Sequence, residues 1–257
     1  MNKFRNYFLS FFILVCLSAF TLTPPAFAKE MKKGRLLYLT LSAGYHHEVV
    51  PFSAEIVKQI GDKSGAFETT VTGDVSPFTA QNLKHYDAVM FYTTGELPMT
   101  DEQKQAFIDF IRSGHGFIGV HSATDTFYMW KEYADLIGGY FNGHPWHQQV
   151  TIDVADPANK MVSFLAPSFQ VNDEIYQIDD FNPQTSHVLL RLDPSSVDVK
   201  KQGSRPKYYG WPVAWTRMDG KGRVFYTSLG HEHDVWNDPR YQKLLLNGIN
   251  WAMGRTK

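Results

Sequence analysis

The sequence predicts an α/β fold in which a parallel sheet is flanked by helices and carries an antiparallel elaboration in the second half of the chain. Two patterns indicate this architecture. In the first half, apolar runs of strand length alternate with stretches whose apolar residues recur at helical spacing, which typically builds a parallel sheet with helices on both sides. In Gln148–Thr216, short alternating strands are instead separated by proline and aspartate turns. Together, the patterns favour a flavodoxin-like domain.

The first half contains four predicted strands and two clear helices. The strands are expected at Arg35–Leu41, Phe67–Thr72, Asp87–Tyr92 and Gly116–Val120. Between the first two, apolar residues recur at helical spacing from Pro51 onward, and proline suits the first turn of a helix. A second helix follows Thr100, which is expected to form a capping box with Gln103, and ends before Gly114.

The second half is predicted to contain three further strands and a final helix. The strands are expected at Gln149–Val154, Val188–Leu192 and Gly222–Leu229. Between the last two strands, Ser195–Trp211 is expected to be an exposed loop. The final helix has Asp238 as its N-cap and Pro239 at its first position, and ends at Gly254. No repeat or long linker divides the chain, so residues 29–257 are predicted to form a single domain.

The N-terminus has the pattern of a signal peptide. Lys3 and Arg5 precede an apolar run from Phe8 to Thr21, which leads into the cleavage sequence Ala26-Phe27-Ala28. This run is too short for a transmembrane helix, so no membrane insertion is expected. We therefore predict that residues 1–28 are removed and that the remainder is secreted to a periplasm or out of the cell.

The composition of the mature chain excludes several classes of function. The single cysteine, Cys16, lies in the predicted signal peptide, so disulfides, thiolate metal ligands and a cysteine nucleophile are excluded. A net charge of -1 provides no field for nucleic acid. Glycine-rich phosphate loops are absent, so no nucleotide cofactor is expected. The remaining expectation is chemistry on a small molecule.

Ionisable residues cluster directly after the predicted strands. Of the ten histidines, seven lie either in strand-end segments or in the pair His144 and His147. The strand-end segments are Gly44–Glu48, Gly95–Glu96, His121–Asp125 and Gly230–Asp234. Because open parallel sheets bind ligands beyond the carboxyl ends of their strands, these segments predict a functional site at that edge.

Two kinds of chemistry remain open for this histidine cluster. Neutral imidazole and carboxylate groups suit Zn, Mn, Fe or Ni, although the chain lacks the helical H-E-x-x-H spacing of many zinc sites. The candidate metal ligands are His121, His144, His147 and His231. The alternative is metal-free acid–base catalysis, in which His121 or His231 moves a proton. The carboxylates that could orient it are those of Asp125, Glu96 and Glu174.

The segment Gly119–Ala123 lies at a predicted strand-to-helix turn, where α/β-hydrolases carry their nucleophile. Its central position is His121, whereas Ser122 comes one residue too late for a nucleophile. A Ser-His-acid hydrolase is therefore not expected.

Four motifs occur in the order in which a known family has them. They are Gly119–Thr126, Gly143–Pro145, Asp173–Tyr176 and Gly222–His231. They resemble the ThuA family, named for trehalose utilisation, from about Arg35 to Gly254. The resemblance implies a fold like that of class I glutamine amidotransferases, whose active pair is a cysteine at the turn and a histidine in a late strand-end segment. Here His121 replaces that cysteine and His231 falls at the position of the histidine, so glutamine hydrolysis is excluded.

The resemblance also implies a link to disaccharide and glycoside catabolism, particularly through 3-keto-sugars. The proton at C2 of a 3-keto-glycoside is acidic, so acid–base or metal-assisted chemistry could isomerise the sugar, eliminate its glycosidic oxygen or hydrolyse it. On this hypothesis, the catalytic residues are His121, His231, Asp125 and Glu174. The residues expected to contact the substrate are His46, His47, Glu96, Thr124, Trp146 and Tyr176.

A carbohydrate-binding module without catalysis is the alternative to an enzyme. Aromatic side chains can line a sugar cleft. The tryptophans that would then matter more than His121 are Trp130, Trp146, Trp211 and Trp236.

Overall fold

The computed structural model describes Met1 and residues 32–205 and 210–256. The chain divides into the units Met1–Met31 and Lys32–Lys257, and the second is the compact domain described below. Apart from Met1, the predicted signal peptide lies outside the described residues, so cleavage and secretion stay predictions. Within the described ranges, no helix has both the length and the apolar character needed to cross a membrane.

A nine-stranded sheet forms the centre of the described domain. Its strands are β1 (Gly34–Leu39), β2 (Phe67–Thr72), β3 (Ala88–Phe91), β4 (Gly116–Val120), β6 (Trp146–Val154), β7 (Ser168–Ile175), β9 (Ser186–Leu192), β10 (Pro212–Asp219) and β11 (Gly222–Thr227). Their order across the sheet is β2-β1-β3-β4-β11-β10-β9-β6-β7. A separate two-stranded sheet pairs β5 (Tyr140–Phe141) with β8 (Ile178–Asp179).

The main sheet has a parallel half and an antiparallel half. Strands β2, β1, β3, β4 and β11 pair in parallel. Strands β10, β9, β6 and β7 extend the sheet beyond β11 through antiparallel pairs. This arrangement confirms the predicted fold class, including the antiparallel elaboration in the second half of the chain.

A hydrophobic core lies on each face of the sheet, between the sheet and the helices that pack on it. The helices are α1 (Val50–Ser64), α2 (Ala80–Leu83), α3 (Asp101–Arg112), α4 (Lys131–Ile137), α5 (His233–Asn237) and α6 (Pro239–Ala252). Leu36 and Tyr38 of β1 belong to the core that includes α1 and α6, whereas Leu37 and Leu39 belong to the core that includes α3 and α4. A strand that is buried on both faces is apolar at every position, which is why its sequence predicts it so clearly.

The predicted helix caps are present. Thr100 forms the capping box with Gln103 at the start of α3. The Asp238 side chain accepts the backbone N–H of Arg240, and Pro239 is the first residue of α6. These side chains satisfy backbone N–H groups that have no partner within the helix, and thereby fix where each helix begins.

The second half contains two strands of the main sheet that were not predicted individually, β7 and β10, and it departs from the sequence prediction in two further places. Strand β6 begins at Trp146 rather than at Gln149, because its first three residues pair with the end of β7. The predicted exposed loop ends in a residue that is not exposed, since Trp211 is buried and packs edge-on against Trp146. The remainder of that loop includes residues 206–209, which lie outside the described residues.

Candidate functional site

A cavity of about 320 Å³ lies at the carboxyl edge of the parallel strands. Its walls come from the loops after β1 and β4 and from residues at β5 and at the end of β7. The lining residues are Tyr45, His47, Asp125, Phe141, His144, Glu174 and Tyr176. A cavity with ionisable and aromatic side chains in its wall therefore occupies the place at which open parallel sheets bind their ligands.

His121 occupies a left-handed turn directly after β4. Its φ of 46° lies in a region that residues other than glycine rarely adopt. The residue is completely buried, and its carbonyl oxygen accepts a 2.7 Å hydrogen bond from the Tyr226 hydroxyl. The turn thus resembles the nucleophile-bearing turn predicted at this position, with an imidazole where a hydrolase would carry a hydroxyl or a thiol.

The contacts of His121 fix its tautomer. Its Nδ1 atom lies 2.7 Å from the carbonyl oxygen of Ser228. A carbonyl oxygen only accepts, so Nδ1 carries the proton and Nε2 of the neutral ring carries the lone pair. The hydroxyl of Tyr176 lies 2.9 Å from Nε2 and donates to it.

Three side-chain atoms meet beside the cavity, and one of them belongs to Glu174, which lines it. His231 Nδ1 lies 3.1 Å from Glu174 Oε2 and 3.3 Å from His121 Nε2. His121 Nε2 lies 3.6 Å from the same Glu174 oxygen. We call His121, His231 and Glu174 the central triad. The structure therefore brings together three of the four residues that the sequence analysis predicts to be catalytic.

The pKa values in the central triad favour an ionised carboxylate beside a basic imidazole. Burial would raise the pKa of Glu174, but the adjacent imidazoles of His121 and His231 outweigh burial and hold this pKa well below its usual range. Burial likewise would lower the pKa of His231, but the hydrogen bond and charge of Glu174 raise it above its ordinary value. His47, the neighbouring imidazole, behaves differently, since burial and the charges of His121 and His231 lower its pKa to about 3.

Asp173 holds the segment that presents His231, a role that the sequence analysis did not assign to it. Its carboxylate is completely buried and accepts backbone N–H groups from Gly230 at 2.7 Å, His231 at 3.0 Å and Glu232 at 3.2 Å. Burial raises the pKa of Asp173 to about 6, against the effect of these donors. The available sequence signal was its place directly before Glu174 in the motif Asp173–Tyr176.

His144 lines the cavity and His147 lies close to Glu174, each with 44% of its side chain exposed. They face the other oxygen of Glu174, since Oε1 lies 3.4 Å from His144 Nδ1 and 3.8 Å from His147 Nδ1. His147 Nε2 also lies 2.6 Å from Glu232 Oε1. Both histidines thus surround Glu174 without reaching His121.

The groups that could hold a metal ion only partly match the predicted ligand set. Among the described residues, His47, His121, Glu174 and His231 offer ligand atoms that all lie within 4.8 Å of one another. A second such group consists of His147, His231 and Glu232. Of the predicted ligands, the buried group therefore contains His121 and His231, whereas His147 belongs to the second group and His144 to neither.

The remaining predicted site residues divide between the cavity and other places. His47, Asp125 and Tyr176 line the cavity. The others do not line it, and they are His46, Glu96, Thr124 and Trp146. Thr124 is fully buried and bonded to the Tyr226 hydroxyl, because the turn at His121–Thr124 directs it into the domain. Glu96 instead accepts the backbone N–H of Met129, and His46 is an exposed loop residue.

The tryptophans proposed for sugar binding belong largely to the protein interior. Trp146 and Trp236 are completely buried and Trp211 is nearly so. Trp146 donates to the carbonyl oxygen of Asp198, and Trp236 donates to that of Gly230. These rings have no free face for a sugar. Two aromatic residues that the sequence analysis did not select, Tyr45 and Phe141, line the cavity instead, and Tyr45 is 66% exposed.

Comparisons with known proteins agree with this fold. A family model described as ThuA, trehalose utilisation, matches residues 35–252. The solved structure of a ThuA-like protein from Bacteroides uniformis is 24% identical with a TM-score of 0.73, over 90% of this chain and 95% of that chain. A ThuA-like protein from Parabacteroides merdae is 20% identical with a TM-score of 0.71, over 86% of this chain and 90% of that chain. At these identities the structural likeness shows the fold alone. A comparison with curated proteins found no match.

Proposed function

Because the chain belongs to the ThuA family, which is described by trehalose utilisation, we propose that it is an enzyme that acts on a disaccharide or glycoside bound in the strand-end cavity. The observation that carries this proposal is the central triad, in which two imidazoles and an ionised carboxylate meet within 3.1–3.6 Å of one another beside the cavity. Such a group can take up a proton at one atom and deliver one at another.

The two imidazoles of the triad are suited to different halves of a proton transfer. His121 Nε2 carries a lone pair because Nδ1 donates to Ser228, so this atom is the base. His231 is hydrogen-bonded to Glu174, which raises its pKa and keeps a proton available, so it is the acid. In this scheme Glu174 orients His231 and stabilises its charged form.

A 3-keto-glycoside is the substrate class that this pair fits best. His121 would take the proton from C2, and the resulting electron pair would be delocalised onto the ketone oxygen at C3. Return of the proton to another carbon would isomerise the sugar. Alternatively, the electron pair would form a C1–C2 double bond and expel the glycosidic oxygen, which takes its proton from His231. Water can then add to the double bond to complete a net hydrolysis.

Other features support catalysis over plain sugar binding. The tryptophans of the binding-module hypothesis are mostly buried, whereas the cavity walls carry ionisable groups. The cluster also has the nitrogen and oxygen donors that a divalent metal such as Zn, Mn, Fe or Ni prefers. We further propose that the enzyme acts outside the cytoplasm, after loss of residues 1–28. N-terminal sequencing of the exported protein tests this, and a mature chain beginning at Met1 would contradict it.

The test of the function is an assay on residues 29–257 with trehalose, simple glucosides and their 3-keto derivatives. Proton NMR in deuterated water follows both exchange at C2 and release of the second sugar. We expect turnover of a 3-keto derivative, and a loss of about 10²–10⁴-fold in His121→Ala with sugar binding retained. His187→Ala is the matched control, because His187 pairs with Asp156 rather than with the cavity. Absence of exchange and turnover on every derivative, or full activity of His121→Ala, would refute the proposal.

A further inference from the structure

We infer that His47, His121, Glu174 and His231 form a binding site for one divalent transition-metal ion. The inference deepens the proposed function, on which its catalytic consequence rests. The metal site itself is argued from the positions of the donor atoms.

The first argument is the spacing of three donor atoms. His121 Nε2, His231 Nδ1 and Glu174 Oε2 form a triangle with sides of 3.1, 3.3 and 3.6 Å. Ligand atoms that lie about 2.0–2.2 Å from an ion are separated by about 3.3–3.5 Å in tetrahedral coordination and by about 3 Å between adjacent octahedral positions. The triangle therefore matches one face of a coordination polyhedron, so an ion could bind with shifts of a few tenths of an ångström. Two imidazoles and one carboxylate on one face also form a known ligand set for divalent iron.

The second argument is the contact on the far side of the His121 ring. Histidines that bind metals almost always donate their other N–H to a carbonyl or carboxylate oxygen, which fixes the tautomer and directs the lone pair at the ion. His121 makes this contact, since Nδ1 donates to the Ser228 carbonyl at 2.7 Å. Asp173 accepts the backbone N–H of His231, which holds this residue in place without contacting its ring.

The third argument is an unpaired buried nitrogen. His47 is only 5% exposed, and its Nδ1 atom has no hydrogen-bond partner among the described residues. Buried polar atoms are nearly always paired, and an unpaired one costs about 1–3 kcal/mol. The His47 ring lies 5.0 Å from the His121 ring and 5.3 Å from the His231 ring, measured between centroids. A ligand bound among these rings would be close to the unpaired nitrogen, and three imidazoles favour a metal ion as that ligand.

The donor set also indicates which ions would bind. Three imidazole nitrogens and one carboxylate oxygen suit Zn, Mn, Fe, Co or Ni, whereas Mg and Ca prefer sites built from oxygen atoms. When bound, such an ion would polarise a carbonyl or hydroxyl oxygen of the sugar. It would also occupy the lone pair of His121 Nε2, so in the metal-bound protein His121 would be a ligand and no longer the base, and the Tyr176 hydroxyl would be free to donate to the substrate.

The test is a direct measurement of metal binding by untagged protein, residues 29–257, after treatment with chelator and desalting. Isothermal titration with Zn²⁺, Mn²⁺ and Ni²⁺ gives the stoichiometry and affinity, and the absorption spectrum with Co²⁺ reports the ligand geometry. We expect one ion per chain, a Co²⁺ spectrum typical of nitrogen and oxygen ligands, and a rise in Tm with metal. No binding of any of the four ions below about 100 μM would overturn the inference.

Variants separate the buried group from the exposed one. We expect His47→Ala and His121→Ala to weaken binding at least about 100-fold, more than loss of an outer hydrogen-bonding partner does. His147→Ala and His187→Ala should change the affinity less than threefold. His147 belongs to the exposed group with Glu232, and His187 lies apart from both groups. If His147→Ala abolished binding while His47→Ala did not, the metal would belong to the exposed group and the inference would be wrong.

Separate controls distinguish a loss of metal binding from a loss of folding and from a loss of activity. Circular dichroism of each variant shows whether it is folded, and the wild-type Tm with and without metal gives a result that needs no variant at all. Full activity of a chelated, metal-free protein on a 3-keto-glycoside would leave the proposed function intact and remove the catalytic consequence of the metal. Stoichiometric metal binding without activity on any sugar would support the metal site and refute the proposed function.

Discussion

The parallel and antiparallel halves of the sheet contribute different chemistry to the same cavity. The loops after β4 and β11, both in the parallel half, supply the imidazoles of His121 and His231. Strand β7, at the outer edge of the antiparallel half, supplies the carboxylates of Asp173 and Glu174. In the proposed scheme, the parallel half provides the imidazoles that exchange protons, and the antiparallel half provides the carboxylates that position them and raise the pKa of His231.

The antiparallel half completes the candidate site. A strand-end site on the parallel strands alone would have the two imidazoles without the carboxylate that raises the pKa of His231. Register places the carboxylate, since Glu174 of β7 pairs with His147 of β6. The elaboration is therefore part of the site, and substitutions in the two halves should have distinguishable effects.

The largest effect is expected for Glu174→Gln. The loss of the charge should lower the pKa of His231 and reduce turnover by about 10²–10⁴-fold, as for the loss of a catalytic acid. Enzyme kinetics measures the turnover, and NMR titration measures the pKa of His231. Glu96→Gln is the matched control in the parallel half, because Glu96 is an exposed strand-end carboxylate that bonds only to the Met129 backbone N–H among the described residues. An equal loss of turnover in both variants would contradict the proposal that the functional carboxylate comes from the antiparallel half.

The second effect is expected for Asp173→Asn. A single amide oxygen cannot replace a carboxylate that accepts three backbone N–H groups, so the segment Gly230–Glu232 should lose support. We expect the free energy of unfolding to fall by about 1–3 kcal/mol, and turnover to fall with it. Urea unfolding measures the first quantity. Asp153→Asn on the neighbouring strand β6 is the control, since Asp153 is exposed and should change stability by less than about 0.5 kcal/mol. A similar loss in both would mean that Asp173 has no special positioning role.

Sequence reasoning located the imidazoles better than the carboxylates. The strands that carry His121 and His231 are apolar runs in a parallel sheet, so the rule that ligands bind at strand ends selects these residues directly. Strand β7 is half exposed and was not predicted as a strand, so Glu174 was named as a carboxylate that could orient a histidine without a predicted strand end to place it. The role of Asp173 depends on its proximity to Gly230, 57 positions further along the chain, and no local pattern reveals such a contact.

The same limit explains the residues that were assigned incorrectly to the cavity wall. Trp146 follows the motif Gly143–Pro145 and Thr124 belongs to the motif Gly119–Thr126, but successive side chains of a strand or tight turn point in different directions. Their side chains enter the interior, whereas Tyr45 and Phe141 reach the cavity. Burial of each individual side chain needs the tertiary structure.

A smaller effect is expected for Tyr176→Phe, at the end of β7. This change removes the hydroxyl that donates to His121 Nε2 at 2.9 Å but keeps the ring that packs against His121 and Phe141. Loss of one hydrogen bond corresponds to about 0.5–1.5 kcal/mol, so we expect kcat to fall about 2- to 12-fold with little change in KM. Tyr128→Phe is the control from the parallel half, because its hydroxyl bonds to Asp125 and the Phe141 carbonyl rather than to the triad. If kcat fell further in Tyr128→Phe than in Tyr176→Phe, the hydroxyl that matters for turnover would belong to the parallel half.

The smallest effect concerns Asp125, the cavity carboxylate that the parallel half does provide. Burial raises its pKa above the usual value, although a hydrogen bond from Tyr128 opposes this. A carboxyl group whose pKa is higher in the folded protein destabilises the fold as the pH rises past its unfolded-state pKa, because the unfolded chain then releases its proton more readily. Asp125→Asn keeps an oxygen that can accept from Tyr128 and removes this penalty. We therefore expect a gain of less than about 1 kcal/mol at pH 7 and none at about pH 3, where the group is protonated in both states.

Thermal unfolding at the two pH values checks this sign against Asp74→Asn, a substitution in the loop after β2. Hydrogen bonds from Ser76 lower the pKa of Asp74, so its ionised form favours the fold, and this variant should lose stability at pH 7. Opposite signs for the two variants would show that Asp125 is retained in the cavity at a cost to stability, as expected of a functional residue. If Asp125→Asn instead destabilised the protein at pH 7, Asp125 would be a structural carboxylate, and the antiparallel half would hold all the functional carboxylates of the cavity wall.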